Sequence, residues 1–351
     1  MGTSPPDAAR SNTWRLMRGG RVCFNRGAGF ALPVSAAFIV TVALLGLARE
    51  KARFPVLLLD RFFPGWGWLE ILLLGFYAAW VGQKMMDPER VPAVRRRIWG
   101  LFSMVFFLQL LGGLAGAEVL LMTGDLHLPV PAVILAGPIY RGGGFFMLIL
   151  FALTLVLVGP AWCSHLCYIG SWDDITSRLK KRKPAELPGW VRNGRWIILG
   201  LVAATALLLR LFGVPGGIAA ALGGAFGIFG VGIMVLVSRT FGVMVHCIAY
   251  CPLGVVSNLL GKISPWRIRI RRDCTRCGAC MRTCRYGALQ AADFERGQPG
   301  LTCTLCGDCL RSCRQESISY HFPGVGAEAA RRAFQVLVVS LHAVYMGIAR
   351  M

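Results

Sequence analysis

Residues 144–161 read GFFMLILFALTLVLVGPA, eighteen positions without a charged side chain, and they run straight into Trp162-Cys163-Ser164-His165-Leu166-Cys167. An uncharged apolar run of this length approaches the ~20 residues an α-helix needs to cross the hydrocarbon core of a bilayer. Comparable runs fall at about 30 to 48, 68 to 82, 98 to 121, 196 to 213 and 217 to 238, the second being the weakest. Composition agrees: 55% of residues are hydrophobic, 16% are charged, and the mean hydropathy is +0.58. The expected fold is a polytopic α-helical membrane protein of about six transmembrane helices. A further apolar stretch, Ala333 to Ala349, carries His342 and reads as a helix lying on the membrane or a seventh span, the former preferred.

Residues 1–29 hold Arg10, Arg15, Arg18, Arg21 and Arg26, and no small-residue cleavage site closes the first apolar run. They are expected to form a basic cytoplasmic tail, not a cleaved signal peptide. Orientation follows from where lysine and arginine collect, because positively charged loops stay on the cytoplasmic side. Lys84, Arg90, Arg95, Arg96 and Arg97 fill one loop, and Arg178, Lys180, Lys181, Arg182 and Lys183 fill another. Both termini are therefore placed inside, in the cytoplasmic (inner) membrane of a bacterium. One loop dissents, with Arg49, Lys51, Arg53 and Arg61 on the outside. The net charge of +21 is spread over these juxtamembrane loops with no nucleic-acid motif, so it points to topology and lipid headgroups, not to nucleic acid.

Eight cysteines near the C-terminus form two runs of equal spacing, Cys274, Cys277, Cys280, Cys284 and Cys303, Cys306, Cys309, Cys313. Each reads Cys-x2-Cys-x2-Cys-x3-Cys, in which three thiolates wrap one cubane cluster and the fourth crosses to its neighbour. Cys274, Cys277, Cys280 and Cys313 are expected to hold one [4Fe-4S] cluster, and Cys303, Cys306, Cys309 and Cys284 the other, within a small α+β ferredoxin-like module. Zinc needs only four thiolates per site and no third cysteine at x2 spacing, and cysteines this dense make poor disulfides. Arg285 and Arg314 stand where proline commonly follows the fourth cysteine, and their charge favours the reduced form of a cluster. One-electron transfer is the chemistry implied.

A second constellation repeats. Cys163 and Cys167 follow the fourth apolar run, Cys247 and Cys251 the sixth, and each pair is followed after two residues by glycine, Gly170 and Gly254. Residues four apart share a helix face, so each pair is expected to present two sulfurs together. Four thiolates would suffice for a third iron-sulfur cluster or another soft-metal site, with His165 and His246 as alternative ligands. The competing reading is small buried cysteines at packing contacts. The domain plan is a tail at 1–29, a transmembrane domain at 30–261, a ferredoxin domain at 262–322, and an apolar C-terminal helix at 323–351.

In these motifs the chain resembles the NapH and MauN type of membrane polyferredoxin, related to the membrane half of NosR proteins. The resemblance runs over roughly residues 30–322, with Cys247, Cys251 and Pro252 matching the family motif and Tyr168 replacing the proline after Cys167. It implies an electron-transfer subunit passing electrons from the quinol pool through [4Fe-4S] clusters to a respiratory reductase or its partner subunit. The alternative is an assembly factor similar to the CcoG type, supplying electrons for metal-centre biogenesis. If quinol is the donor, Glu118, His127 and Arg141 are the ionisable candidates beside an apolar pocket. Trp66, Trp162 and Trp172 read as an interfacial aromatic belt.

Overall fold

The structure, a computed structural model, describes residues 28–121, 128–180 and 183–348. Five helices are long and apolar enough to cross a membrane: α1 (Ala28–Lys51), α3 (Val91–Leu114), α5 (Phe146–His165), α7 (Gly189–Leu211) and α8 (Gly216–Phe241). Between them lie α2 (Gly67–Met85), α4 (Ala132–Arg141) and α6 (Gly170–Arg178), followed by α9 (Pro252–Leu260) and α10 (Ala327–Ile348). Large apolar side chains such as Leu73, Phe76, Leu111, Ile149 and Ile197 stand exposed along the bundle. Such a belt is stable only where lipid replaces water.

The run read at 68 to 82 is helical but falls outside those five, because Glu70 and Lys84 bound an apolar middle that is too short. It packs antiparallel to α1, with Gly75 against Phe38 and Val42 and Gly82 against Ala37. Helix α10 lies along this pair. The Ser340 hydroxyl donates to the Ala37 carbonyl at 3.2 Å, His342 meets the Tyr77 hydroxyl at 3.1 Å, and Gly347 packs against Leu45 and Leu74. A surface-lying helix would leave such polar groups to water or headgroups. Here they find protein partners, and α10 packs beside α1 and α2.

Helix α4 was not anticipated, since ten residues are too few for a span. The chain before it packs Leu128 and Val130 against Gly223 and Gly227 of α8, and its Tyr140 hydroxyl donates to the Val214 carbonyl at 2.7 Å. The dissenting outer-loop charges are partly consumed within the fold. Arg49 pairs with Asp60 at 2.6 Å, and Arg61 donates to the carbonyls of Val119 and Leu121.

At the other end of the bundle, β1 (Arg267–Ile270) and β2 (Ile318–His321) pair antiparallel, Arg267 opposite His321 and Ile270 opposite Ile318. This ribbon brackets the eight cysteines. It is seated by buried Trp266, whose indole N–H donates to the Leu157 carbonyl at 2.9 Å, and by Tyr320 stacked on Phe334 at the start of α10. Trp162 is not a belt residue: it is 5% exposed and packs edge-on against Phe151. Its position one residue before Cys163 puts it in the core at the helix end.

Candidate metal centres

The two cysteine runs fold into matching loops. Arg276 and Leu305, each just before the second cysteine of its run, hold φ of 53° and 56°. Gly278 and Gly307, just after that cysteine, hold φ of 69° and 80°. Left-handed residues on both sides of one cysteine curl the backbone so that successive N–H groups face inward. The glycines are needed because a side chain in that region is strained, and at Gly307 a Cβ would also come 2.7 Å from the Tyr320 hydroxyl.

A cavity of about 330 Å³ is lined by Cys274, Cys277, Cys280 and Cys313, together with Arg282 and Arg314. The fourth cysteine of the later run thus joins the first three of the earlier one. Reciprocally, Cys284 lies within electrostatic reach of Cys303, Cys306 and Cys309 and accepts the Ala288 N–H at 3.4 Å. Burial pushes the Cys280 thiol up to about 11 and the Cys303 thiol up to about 12. Thiols so placed stay protonated until a metal displaces the proton. Among the described residues no three Cys, His, Asp or Glu side chains close around a single ion. The four thiols of the first set ring a cavity, which leaves room for a polynuclear cluster.

The two Cys-x3-Cys pairs repeat in three dimensions, but not as turns of continuous α-helix. The first cysteine of each pair lies in a helical turn and the second beyond its end. The Cys167 N–H reaches back five residues to the Trp162 carbonyl at 3.0 Å, and the Cys251 N–H to the His246 carbonyl at 2.8 Å. Pro252 cannot continue the first helix and instead starts α9. Gly170 and Gly254 then pack against the carbonyl of the first cysteine in their own pair. A Cβ at Gly170 would meet the Cys163 oxygen at 2.9 Å, and one at Gly254 the Cys247 oxygen at 2.4 Å. Each of the four thiols comes within electrostatic reach of the other three. His165 and His246 face elsewhere, His165 on Ala161 and Ser164, His246 on Gly230 and Tyr250.

Side chains that sequence reading treated as topology charges join these groups. Arg95, fully buried, donates to both Asp308 carboxylate oxygens at 3.1 and 3.2 Å and to the Ser164 carbonyl at 3.1 Å. Asp308 lies between Cys306 and Cys309, and Ser164 follows Cys163, so one guanidinium ties the two cysteine sets together. Arg178 bridges Asp174 at 2.8 Å and Asp308 at 3.0 Å. Arg285 donates to the Gly242 carbonyl at 2.6 Å, so it docks the module, whereas Arg314 lines the first cavity as a residue beside the cluster should. Buried Tyr286 and Trp99 share an apolar cluster with Ile248, against which Cys247, Cys284, Cys303 and Cys306 pack. The Tyr286 hydroxyl points to the Cys163 carbonyl at 3.4 Å, and the Trp99 indole N–H donates to the Cys167 carbonyl at 2.7 Å. Asp173 accepts the Cys247 N–H at 3.0 Å.

Glu118 sits in a short exposed turn, Glu118–Leu120, remote from the cysteines, and no ion pair joins it to Arg141 among the described residues. His127 lies outside the described residues, as does Cys23. A cavity of about 400 Å³ does open at the cysteine end, lined by Arg96, Trp99, Asp174 and Arg178.

The family described as Fer4_5, 4Fe-4S binding domain, matches residues 142–186 and 224–271. A search of the curated proteins found no match, and a search of the solved structures found none. The matched segments are those that carry the Cys-x3-Cys pairs, and they mark the chain as similar there to proteins that bind 4Fe-4S clusters.

Proposed function

We propose that the chain is a membrane-bound electron-transfer protein with three iron-sulfur centres, of the NapH and MauN type, taking electrons from quinol and passing them to a respiratory reductase or its partner. Bound clusters would supply one-electron carriage. Cys163, Cys167, Cys247 and Cys251 would hold one in the bundle, Cys284, Cys303, Cys306 and Cys309 the next, and Cys274, Cys277, Cys280 and Cys313 the outermost. The observation that carries this reading is that four thiols from two separate helix ends lie within electrostatic reach of one another, on the two segments that match a 4Fe-4S binding domain.

The chain's own residues then have definite tasks. Tyr286 and Trp99 fill the space between the bundle thiols and the second set, which excludes water and keeps the separation short. Arg95 holds both sides of that gap in register. The cavity beside Trp99 supports donor access at this end of the bundle.

Iron content and spectroscopy test the proposal. Protein purified anaerobically should carry about twelve irons, and Cys247→Ala about eight, with the remaining paramagnetic signals intact. A wild-type content near eight with no change in the variant removes the third centre. Failure of a quinol analogue to reduce the iron-loaded protein, with ready reduction by a soluble donor, removes quinol.

A further inference from the structure

Among the twelve described cysteines, Cys277 alone is exposed. It lines the cavity that holds Cys274, Cys280 and Cys313. The second set is held to α3 and α6 through Asp308, Arg95 and Arg178, whereas none of these three lines the first cavity, whose wall includes Thr275, Gln315 and Arg314. Five exposed arginines belong to this region: Arg271, Arg272 and Arg276 precede Cys277 in the chain, and Arg282 and Arg314 line its cavity. Two have acidic neighbours, Arg271 with Asp273 at 2.9 Å and Arg276 with Glu295 at 3.6 Å. Arg272, Arg282 and Arg314 have no ion-pair partner among the described residues. Arg282 also donates to the Cys277 carbonyl at 3.4 Å, which fixes positive charge at the lip of the cavity.

We propose that this arginine rim around Cys277 is the docking face for an acidic one-electron carrier protein, and that electrons leave or reach the chain there. The inference rests on the electron-transfer reading above and adds the partner's chemistry and its landing site. Uncompensated charge of one sign on a rim acts on encounter: it raises the association rate of an oppositely charged partner, orients it, and loses its effect as salt screens it. A partner steered to the rim comes to rest over the most accessible ligand of the outermost set. One electron crosses per encounter, the carrier losing what the first set gains or the reverse, and no bond is made or broken.

The test uses the full iron-loaded protein in detergent, mixed rapidly with a reduced acidic flavodoxin-type carrier across a range of ionic strength. Bleaching of the iron-sulfur absorption should slow steeply with added salt. In Arg271→Glu/Arg272→Glu it should be about tenfold slower at low salt and nearly salt-independent, while Arg271→Lys/Arg272→Lys behaves as wild type. Reduction by a small neutral mediator should be equal in all three, showing that the centre itself is unchanged. A carrier rate that ignores both salt and charge reversal overturns the docking face while leaving electron transfer intact, as does equal reaction with a basic c-type cytochrome. A variant that loses binding to anionic lipid vesicles while keeping its carrier rate assigns the rim to the membrane and also overturns the inference. Protein without iron, or iron that no reductant bleaches, fails the electron-transfer reading instead.

Discussion

Gly170 and Gly254 occupy equivalent places in the two halves of the bundle, and neither has room for a methyl group. A Cβ at Gly170 would stand 2.6 Å from the Trp99 ring, and one at Gly254 would press on backbone that no rotamer change can move. Alanine at either position should splay its cysteine pair and remove the bundle centre, lowering iron from about twelve to about eight per chain. Unchanged iron in both variants would contradict the shared geometry. Arg95 makes a different prediction. Removing one member of a buried ion pair costs about 3–5 kcal/mol, and Asp308 keeps Arg178, so Arg95→Gln should cost roughly 3 kcal/mol. The check is thermal unfolding of the detergent-purified protein, with proteolysis of the C-terminal module reporting whether it has come loose.

At the scale of elements, α1 and α2 are joined at the end remote from the cysteines by a single carboxylate. Asp60 pairs with Arg49 at the close of α1 and accepts the N–H of Gly67, the first residue of α2, at 2.7 Å. Asp60→Ala should destabilise by about 1 kcal/mol, the usual worth of a side chain that satisfies a helix N-terminus. Arg49 first, and then the Gly67 N–H, hold the Asp60 carboxyl below its usual range. Its contribution is therefore complete above the unfolded carboxyl value and is lost as pH falls through the lower folded one. The gap in melting temperature between wild type and Asp60→Asn should close as the solution is acidified. Helix α10 belongs to the same group: Phe334, Val338, Val339 and Ala343 are buried, and Arg331 donates to the Met86 carbonyl at 2.9 Å. Deleting residues from 327 onward should leave α1 and α2 unsupported, read as loss of monodisperse protein after extraction.

For the whole molecule, basic loops and cysteine sets gather at one end of the bundle, while Arg49, Asp60 and Glu118 mark the other. Under the positive-inside rule, the orientation we propose has the cysteine sets on the cytoplasmic side. Glu118→Cys should react with a membrane-impermeant thiol reagent from outside the cell, and Glu295→Cys only in inverted vesicles. The opposite pattern would reverse the orientation.

Spacing and periodicity carried much of this chain's organisation. Apolar run length is a local property, and so is the spacing of cysteines in a wrapping loop, so the helical bundle, the eight-cysteine module and the repeated pairs were all legible. What joins them was not. Arg95 and Asp308 are 213 positions apart, and nothing near either marks it as the other's partner. Tyr286 carries no motif of its own, and only the fold sets it beside Cys163. Helix α4 and the burial of Trp162 depend on which neighbours the packing supplies. Residue types and spacings alone determined which thiols are available and that the chain carries apolar runs of membrane-spanning length, because both follow from short-range chemistry. Only the tertiary structure decided that Arg95 ties Ser164 to Asp308 and that Cys277 is the exposed thiol among the described cysteines, because burial and buried ion pairs exist only once distant segments meet.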